Sequence, residues 1–388
     1  MDDLNRPLEG ILVLDFSQFL AGPVAALRLA DLGARVIKIE RPGTGDIGRT
    51  LAFAGREIDG DTVSFHAMNR NKESLAADLK NPEDLAYVRT LVDRADVLIE
   101  NFRPGVMDRL GLDYASVRER NPSIVYASAT GYGETGPWAS RPGQDLLAQS
   151  ISGLPWLNGS HDDGPVPMGL AIADHLTSCH IAQGVTALLV RRFRNGQGGR
   201  VQTSLLEAML DLQLELLSVK LNDDSIAVHR SGARSAHAFL PAPYGTYPTS
   251  DGYLALAMNA LPHLGGLLDL PELVAMNDPD RAWDEREHVE DILAERLRTD
   301  TTDHWLAVLD RGDVWCAPVL TLDALVESEG FEAIRMTQSV ARHGIEVATT
   351  RSPIRVDGHI LTSTKAAPVL GEDSDRIRAE FPGDAECS

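Results

Sequence analysis

The first third of the chain alternates short apolar runs with segments of helical period. Ile11 to Phe16 reads as a buried strand, followed by a turn that contains Gly22-Pro23. Pro23 suits the first turn of a helix, and Val24, Leu27 and Ala30 continue on one face of it. Gly33 is a natural residue just past that helix, and Val36, Ile37 and Ile39 form a second strand. A similar unit follows. Asn81-Pro82 opens a helix that carries Leu85, Val88, Leu91 and Val92, and Val97-Leu98-Ile99 is its strand. A helix from Tyr114 to Arg120 then precedes a strand from Ile124 to Ala129. Helices between short buried strands imply a mainly parallel sheet, because parallel strands need crossover connections.

A long helix is expected from about His175 to Arg194, with Ile181, Val185, Leu188 and Leu189 on one stripe and Asn195-Gly196 ending it. Gln197 to Arg200 reads as a turn, Val201 to Thr203 as a strand, and Leu205 to Leu217 as an apolar helix. The character then changes. Asn222 to Ser225 looks like a linker, and Tyr244 to Tyr247 with Tyr253 to Leu256 suggests a hairpin. Charged helices follow at Trp283 to Arg298 and Asp303 to Leu309. The pattern predicts an α/β protein with a large domain over 1–200, a linker helix over 201–225 and a smaller α/β domain over 226–328. The segment 329–388, where Arg351 to Ile354 reads as extended, returns to the large domain.

Composition narrows the partners. Hydrophobic residues make up 43% and aromatics only 5% of 388 residues, so aliphatic side chains fill the core. The net charge of −21 repels nucleic acid and anionic membranes, and a phosphorylated ligand needs a local basic patch. Cys179, Cys316 and Cys387 show no metal or disulfide spacing, which fits a reducing, cytoplasmic setting. The start Met1 to Arg6 lacks the order of a signal peptide, and no apolar run approaches the ~20 residues of a membrane helix.

A strand–helix–strand opening with Glu40 at the end of its second strand suggests a dinucleotide fold, in which that carboxylate holds a ribose. The turn Ser17-Gln18-Phe19-Leu20-Ala21-Gly22-Pro23 lacks the glycines that let a pyrophosphate approach the backbone, and there is no Walker A pattern. A nicotinamide-dependent oxidoreductase survives only as analogy of fold.

Several runs together carry a more specific signal. Pro7 to Asp15, Ala21-Gly22-Pro23, Asp31 to Ala34 and Val36 to Gly43 form one group. Asn69 to Lys72, Asp78-Leu79-Lys80, Asp96 to Gly105 and Gly131-Tyr132-Gly133 form another. With them the chain resembles the class III CoA-transferases (the CaiB/BaiF group, with formyl-CoA and carnitine-CoA transferases) from about Pro7 to Ala208, and more weakly beyond. The resemblance implies a Rossmann-like large domain, a smaller α/β domain and a homodimer of interlocked rings. It implies that Asp174, in Gly169 to His175, is the catalytic nucleophile. Coenzyme A would lie against Phe19, Leu20 and Ala21. Arg41, Lys80 and Arg109 would face its phosphates, and Asn101 and Phe102 would flank the pantetheine or adenine. Acyl-CoA donor and carboxylic acid acceptor are then the partners. No metal and no tightly bound cofactor are expected, because the carboxylate supplies the covalent chemistry.

The residues themselves are compatible with that role. Asp174 sits just before the expected long helix, where unpaired N–H groups and the dipole favour its ionised form, although an Asp there is also an ordinary cap worth ~1 kcal/mol. Gln144 stands where the related racemases carry a proton-moving His, and glutamine exchanges no proton near neutral pH. Asp145 either orients the site or caps the segment after it. His175 reads as a first-turn residue of the helix, His66 and His180 as structural or surface residues, and Cys179 as a small apolar side chain that packs. Ser235 to Gly245 occupies the region of the glycine-rich loop of formyl-CoA transferases without matching it. The alternatives are an acyl-CoA racemase or isomerase on the same fold, or a non-catalytic CoA-binding protein.

Overall fold

The computed structural model describes residues 6–223, 225, 230, 232 and 234–382. The N-terminal Met1 to Asn5, Asp224 of the expected linker, and Cys387 lie outside them. Two compact units are present. One combines the chain through Ser152, Leu170–Leu212 and the part from Met336 on. The other combines Gly153–Gly169 with Gln213–Arg335.

The first unit is built on six parallel strands: β1 (Leu12–Asp15), β2 (Arg35–Glu40), β3 (Glu73–Ala76), β4 (Val97–Glu100), β5 (Val125–Thr130) and β6 (Gly199–Ser204). Their order is β3-β2-β1-β4-β5-β6, so the winding reverses between β1 and β4. Alternate residues feed two cores. Leu12, Leu14, Ile37, Leu75, Leu98 and Tyr126 face Val88, Leu91 and Val92 of α3 (Pro82–Val92) and Val117 of α5 (Tyr114–Arg120), which follows the short α4 (Val106–Leu110). On the other side, Val13, Val36, Ile99 and Ala127 meet Ala25, Ala26 and Leu29 of α1 (Ala21–Asp31). Ile181, Val185 and Leu189 of α7 (Ile172–Asn195) complete that core. Strands covered on both faces are continuous apolar runs, which is why they were legible. Truncating one such leucine to Ala costs about 2–5 kcal/mol.

Three expectations need correction. β3 was not foreseen, because Glu73 and Ser74 are polar yet buried. The helix expected over Leu205 to Leu217 breaks at Gln213 into α8 (Leu205–Leu212) and α9 (Leu214–Asn222). The tail holds a regular antiparallel hairpin, Thr337–Arg342 with Ile345–Thr350. Its partners tie it to the first unit: Asn71 N–H donates to Lys365 O at 2.9 Å, and Ser74 N–H to Asp373 Oδ2 at 2.9 Å.

The second unit carries a three-stranded antiparallel sheet of Gly245–Pro248, Tyr253–Leu256 and Cys316–Pro318. Tyr247, Leu254 and Leu256 pack against Val289, Leu293, Leu297, Trp305 and Leu309 from the helices Arg286–Leu297 and Thr302–Arg311. Among the described residues no helix is long and apolar enough to cross a membrane.

Candidate functional site

All six parallel strands end on one edge of the sheet, and α1 and α7 both begin there. A reversal of winding opens a crevice at that edge. The loop from β1 to α1 lies on one side of the reversal, and the loop after β4 on the other. The sequence-predicted Phe19, Leu20 and Ala21 occupy the first loop, and Asn101 and Phe102 the second. Leu20 and Ala21 are buried, whereas Phe19 is 50% exposed. Asn101 has spent its amide on the protein: Gln18 N–H donates to its Oδ1 at 2.9 Å, and its Nδ2 donates to Gln18 O at 2.7 Å. It joins the two loops rather than offering free hydrogen bonds. Arg41 directly follows β2, Lys80 lies in the loop after β3 and Arg109 in α4 after β4, and all three are exposed.

Asp174 is placed differently from the expectation. The helix α7 starts at Ile172, so Asp174 lies inside its first turn and not ahead of it. The N-cap residue Ala171 has no side chain to offer. Asp145, the first residue of α6 (Asp145–Ser152), supplies the cap instead: its Oδ1 accepts from Ala173 N–H at 2.8 Å and from Asp174 N–H at 3.1 Å. Gln149, one turn along α6, donates to Asp145 Oδ2 at 2.7 Å and to Leu170 O at 3.1 Å. Asp145 is brought there by a tight backbone crossing. A Cβ on Gly131 would lie 2.5 Å from the Cα of Gly143, so both positions exclude any side chain.

This arrangement reverses the electrostatic expectation. The helix N–H groups that were to stabilise an ionised Asp174 are already satisfied by another carboxylate. Burial, and then the charge of Asp145, push the Asp174 carboxyl up to about 7. It therefore exchanges its proton near neutral pH. Beside it, one side of His175 is open to solvent, while partial burial of its ring and then the nearby Arg28 hold its imidazole below the usual value. Gln144 accepts from Leu146 N–H at 3.1 Å and so helps start α6. Cys179 is exposed and does not pack as a small apolar group, whereas His66 is fully buried and His180 lies 3.2 Å from Asp211.

Sequence reasoning missed the charge cluster beneath the β1–α1 loop. Asp15, Lys38, Asp46 and Lys72 are all buried. Lys72 Nζ donates to Asp15 Oδ2 at 2.9 Å, to Pro23 O and to Asn69 Oδ1. Lys38 Nζ donates to Ser17 O at 2.7 Å and lies 2.8 Å from Asp46 Oδ2. Burial opposes the charge on Asp15, but Lys38 and Lys72 outweigh it and hold the carboxyl down at about 2. Burial wins at Lys72, whose ammonium falls to about 8. Glu40, the ribose candidate of the dinucleotide reading, is fully engaged: it accepts from Arg49 twice at 2.8 Å, from Ser74 Oγ at 2.7 Å and from Asp46 N–H at 3.0 Å. Arg49 also reaches Asp61 at 2.9 Å, and Arg342 of the C-terminal hairpin reaches the same Asp61 oxygen at 2.7 Å. The only signal in the sequence was a set of charged residues inside otherwise apolar elements, such as Lys38 between Ile37 and Ile39. Glu100, at the end of β4, is buried as well, and its burial raises the carboxyl to about 7. Among the described residues no group of three His, Cys, Asp or Glu is placed to hold a metal.

Comparison with known proteins bears on the family and the fold. Residues 8–374 match the family model described as CoA-transferase family III. The chain is 33% identical to the succinate–glutarate CoA-transferase of Agrobacterium fabrum, with 98% of this chain and 97% of that one covered. It is 34% identical to the human succinyl-CoA:glutarate CoA-transferase, covering 97% of this chain and 87% of that one. The crystal structure of a CaiB/BaiF family protein from Brucella suis superposes with a TM-score of 0.85 at 34% identity, covering 97% of this chain and all of that one. The chain belongs to CoA-transferase family III, enzymes that move coenzyme A between an acyl-CoA thioester and a carboxylic acid.

Proposed function

We propose that Asp174 carries the transfer as a covalent nucleophile. Its ionised oxygen attacks the thioester carbonyl of the acyl-CoA donor, the C–S bond breaks, and an aspartyl–acyl anhydride and a CoA thiolate result. The thiolate then attacks the aspartyl carbonyl, releasing the first acid and leaving an aspartyl-CoA thioester. The acceptor carboxylate attacks that thioester, and the returning thiolate takes the new acyl group and frees Asp174. Each step exchanges one acyl bond for another, so the chain's own carboxylate suffices. The observation that carries the reading is a carboxyl in the first turn of α7, its helix amide already capped by Asp145, pushed up to about 7.

Coenzyme A would run along that loop past Phe19, Leu20 and Ala21, with Phe102 alongside and Asn101 holding the loop. Arg41, Lys80 and Arg109 would meet its phosphates. Exposed cations on a protein of net charge −21 are the local attraction such a ligand requires. The acids favoured are small dicarboxylates, since relatives matched along nearly their whole length are named for succinate and glutarate. A homodimer is part of the same proposal, supported by large apolar side chains left exposed: Val190 and Phe193 on α7, and Leu214 and Leu221 on α9.

Incubation with succinyl-CoA and glutarate, followed by mass spectrometry, tests the nucleophile. The wild-type chain should exchange CoA and carry a CoA adduct on Asp174. Asp174→Ala should lose both while still binding CoA. Substantial turnover by that variant would overturn the assignment.

A further inference from the structure

Phe19 has a left-handed backbone, with φ at 67°, a region that a bulky side chain adopts only where its surroundings compel it. Three side chains grip this stretch of the loop, one peptide group after another. Lys38 holds Ser17 O, Asn101 clamps both the N–H and the C=O of Gln18, and Asp46 accepts the N–H of Phe19 at 3.1 Å. The same Asp46 oxygen accepts Gly48 N–H at 2.9 Å, and the other lies against Lys38. Asp46 is 2% exposed, and its own N–H is held by Glu40, so it has no freedom to turn toward a ligand.

We propose that Asp46 is a positioning residue for coenzyme A: it holds the β1–α1 loop, through Phe19, in the one backbone shape that receives the ligand. The proposal rests on the reading above that this loop takes the coenzyme. Asp46 never touches CoA. Without it, Phe19 is free to relax to the ordinary negative-φ region, which turns both its peptide and its half-exposed ring. If the receptive shape then falls to about a tenth of the population, the apparent Kd for CoA rises on the order of tenfold.

Calorimetric titration with CoA itself tests this on Asp46→Ala, Asp46→Asn and Phe19→Ala, each first checked for a cooperative melt. Asp46→Ala should bind about tenfold more weakly, while kcat with saturating succinyl-CoA and glutarate stays within about threefold. A general loss of structure would depress both. Asp46→Asn covers the case in which the alanine variant does not fold. Its single carbonyl oxygen is drawn to the Lys38 ammonium and leaves Phe19 N–H unpaired, so binding should again weaken several-fold. Wild-type affinity in the folded Asp46 variants, with weaker binding by Phe19→Ala, would overturn the proposal and leave the loop as the coenzyme site. Wild-type affinity in all three would remove the loop reading, and the proposal with it.

Discussion

Replacing Asp145 by Asn should move the acid limb of catalysis. The Asp174 carboxyl is displaced from 3.8 to about 7, with burial as the larger cause and the Asp145 charge as the second. The amide of Asp145→Asn keeps an oxygen for the N–H groups of Ala173 and Asp174 and removes the charge, with the Gln149 amide turning to present its oxygen to the new NH2. Less than half of the displacement should therefore be recovered, about one pH unit, or about 1.4 kcal/mol of relieved repulsion. Other charged or titratable groups on or against α7 include Arg28 on α1, Asp211 on α8 beside His180, His175 and Cys179 on α7, and Arg191, Arg192 and Arg194 toward its end, with Asp96 paired to Arg192. Burial and Asp145, rather than any of these, set the Asp174 displacement. The sign is set by the nucleophile, which must be ionised to attack, so the rate rises with pH through its pKa. The assay is the rate of CoA-adduct formation from succinyl-CoA, quenched and read by mass spectrometry between pH 5 and 9. The wild type should be half-maximal near 7 and Asp145→Asn near 6. At pH 6 the variant would then run about five times closer to its own plateau than the wild type does. An acid limb that stays in place, or moves upward, would refute the argument that Asp145 acts on Asp174 through charge.

Two further outcomes follow from the same structure. Asp174 is ionised at a cost in the folded state. Its contribution to stability is therefore fully present below 3.8, the unfolded value, and lost as pH rises through about 7. Asp174→Asn should accordingly be more stable than the wild type at pH 8, by roughly 2–4 kcal/mol after allowing for partial solvent contact, with the gap closing below pH 4; urea melts at the two pH values check this. Arg342→Ala leaves Asp61 and Asp59 without their shared guanidinium partner, in a position only 6% exposed. Asp61 keeps Arg49, so the cost is that of lost charge-assisted hydrogen bonds, about 1.5–3 kcal/mol, and the denaturation midpoint should fall at pH 7.

The sequence disclosed the strands and helices whose neighbours are close in the chain. β1, α1, β2, α3, β4, α5 and β5 could be read because each strand is buried on both faces by crossover helices adjacent to it. What it concealed depends on partners far away. The start of α7 was misplaced because a cap is sought in the residue ahead of the helix, whereas here the acceptor arrives from Asp145, 28 residues earlier than the Ala173 it caps. The ionisation of Asp174 was misjudged for the same reason, since the helix amides were assumed free. β3 was hidden because Glu73 and Ser74 look solvent-facing until Lys365, Arg35 and Asp373 are brought to them. Asp15, Lys38 and Asp46 gave no local sign that they would converge.

The guanidinium of Arg342 has a consequence for biosynthesis. It closes the chain of hydrogen bonds that runs through Asp61, Arg49 and Glu40 to Asp46. Translation delivers Arg342 only after the six strands have left the ribosome, and domains assemble from the N-terminus as they emerge. A nascent chain halted before that point would own all six strands of the central sheet, with Asp61 still held by Arg49, while Asp59 would lack its guanidinium partner. The last stretch of polypeptide, in folding back, thus fastens the segment around Asp59 and Asp61 to a sheet that is already built.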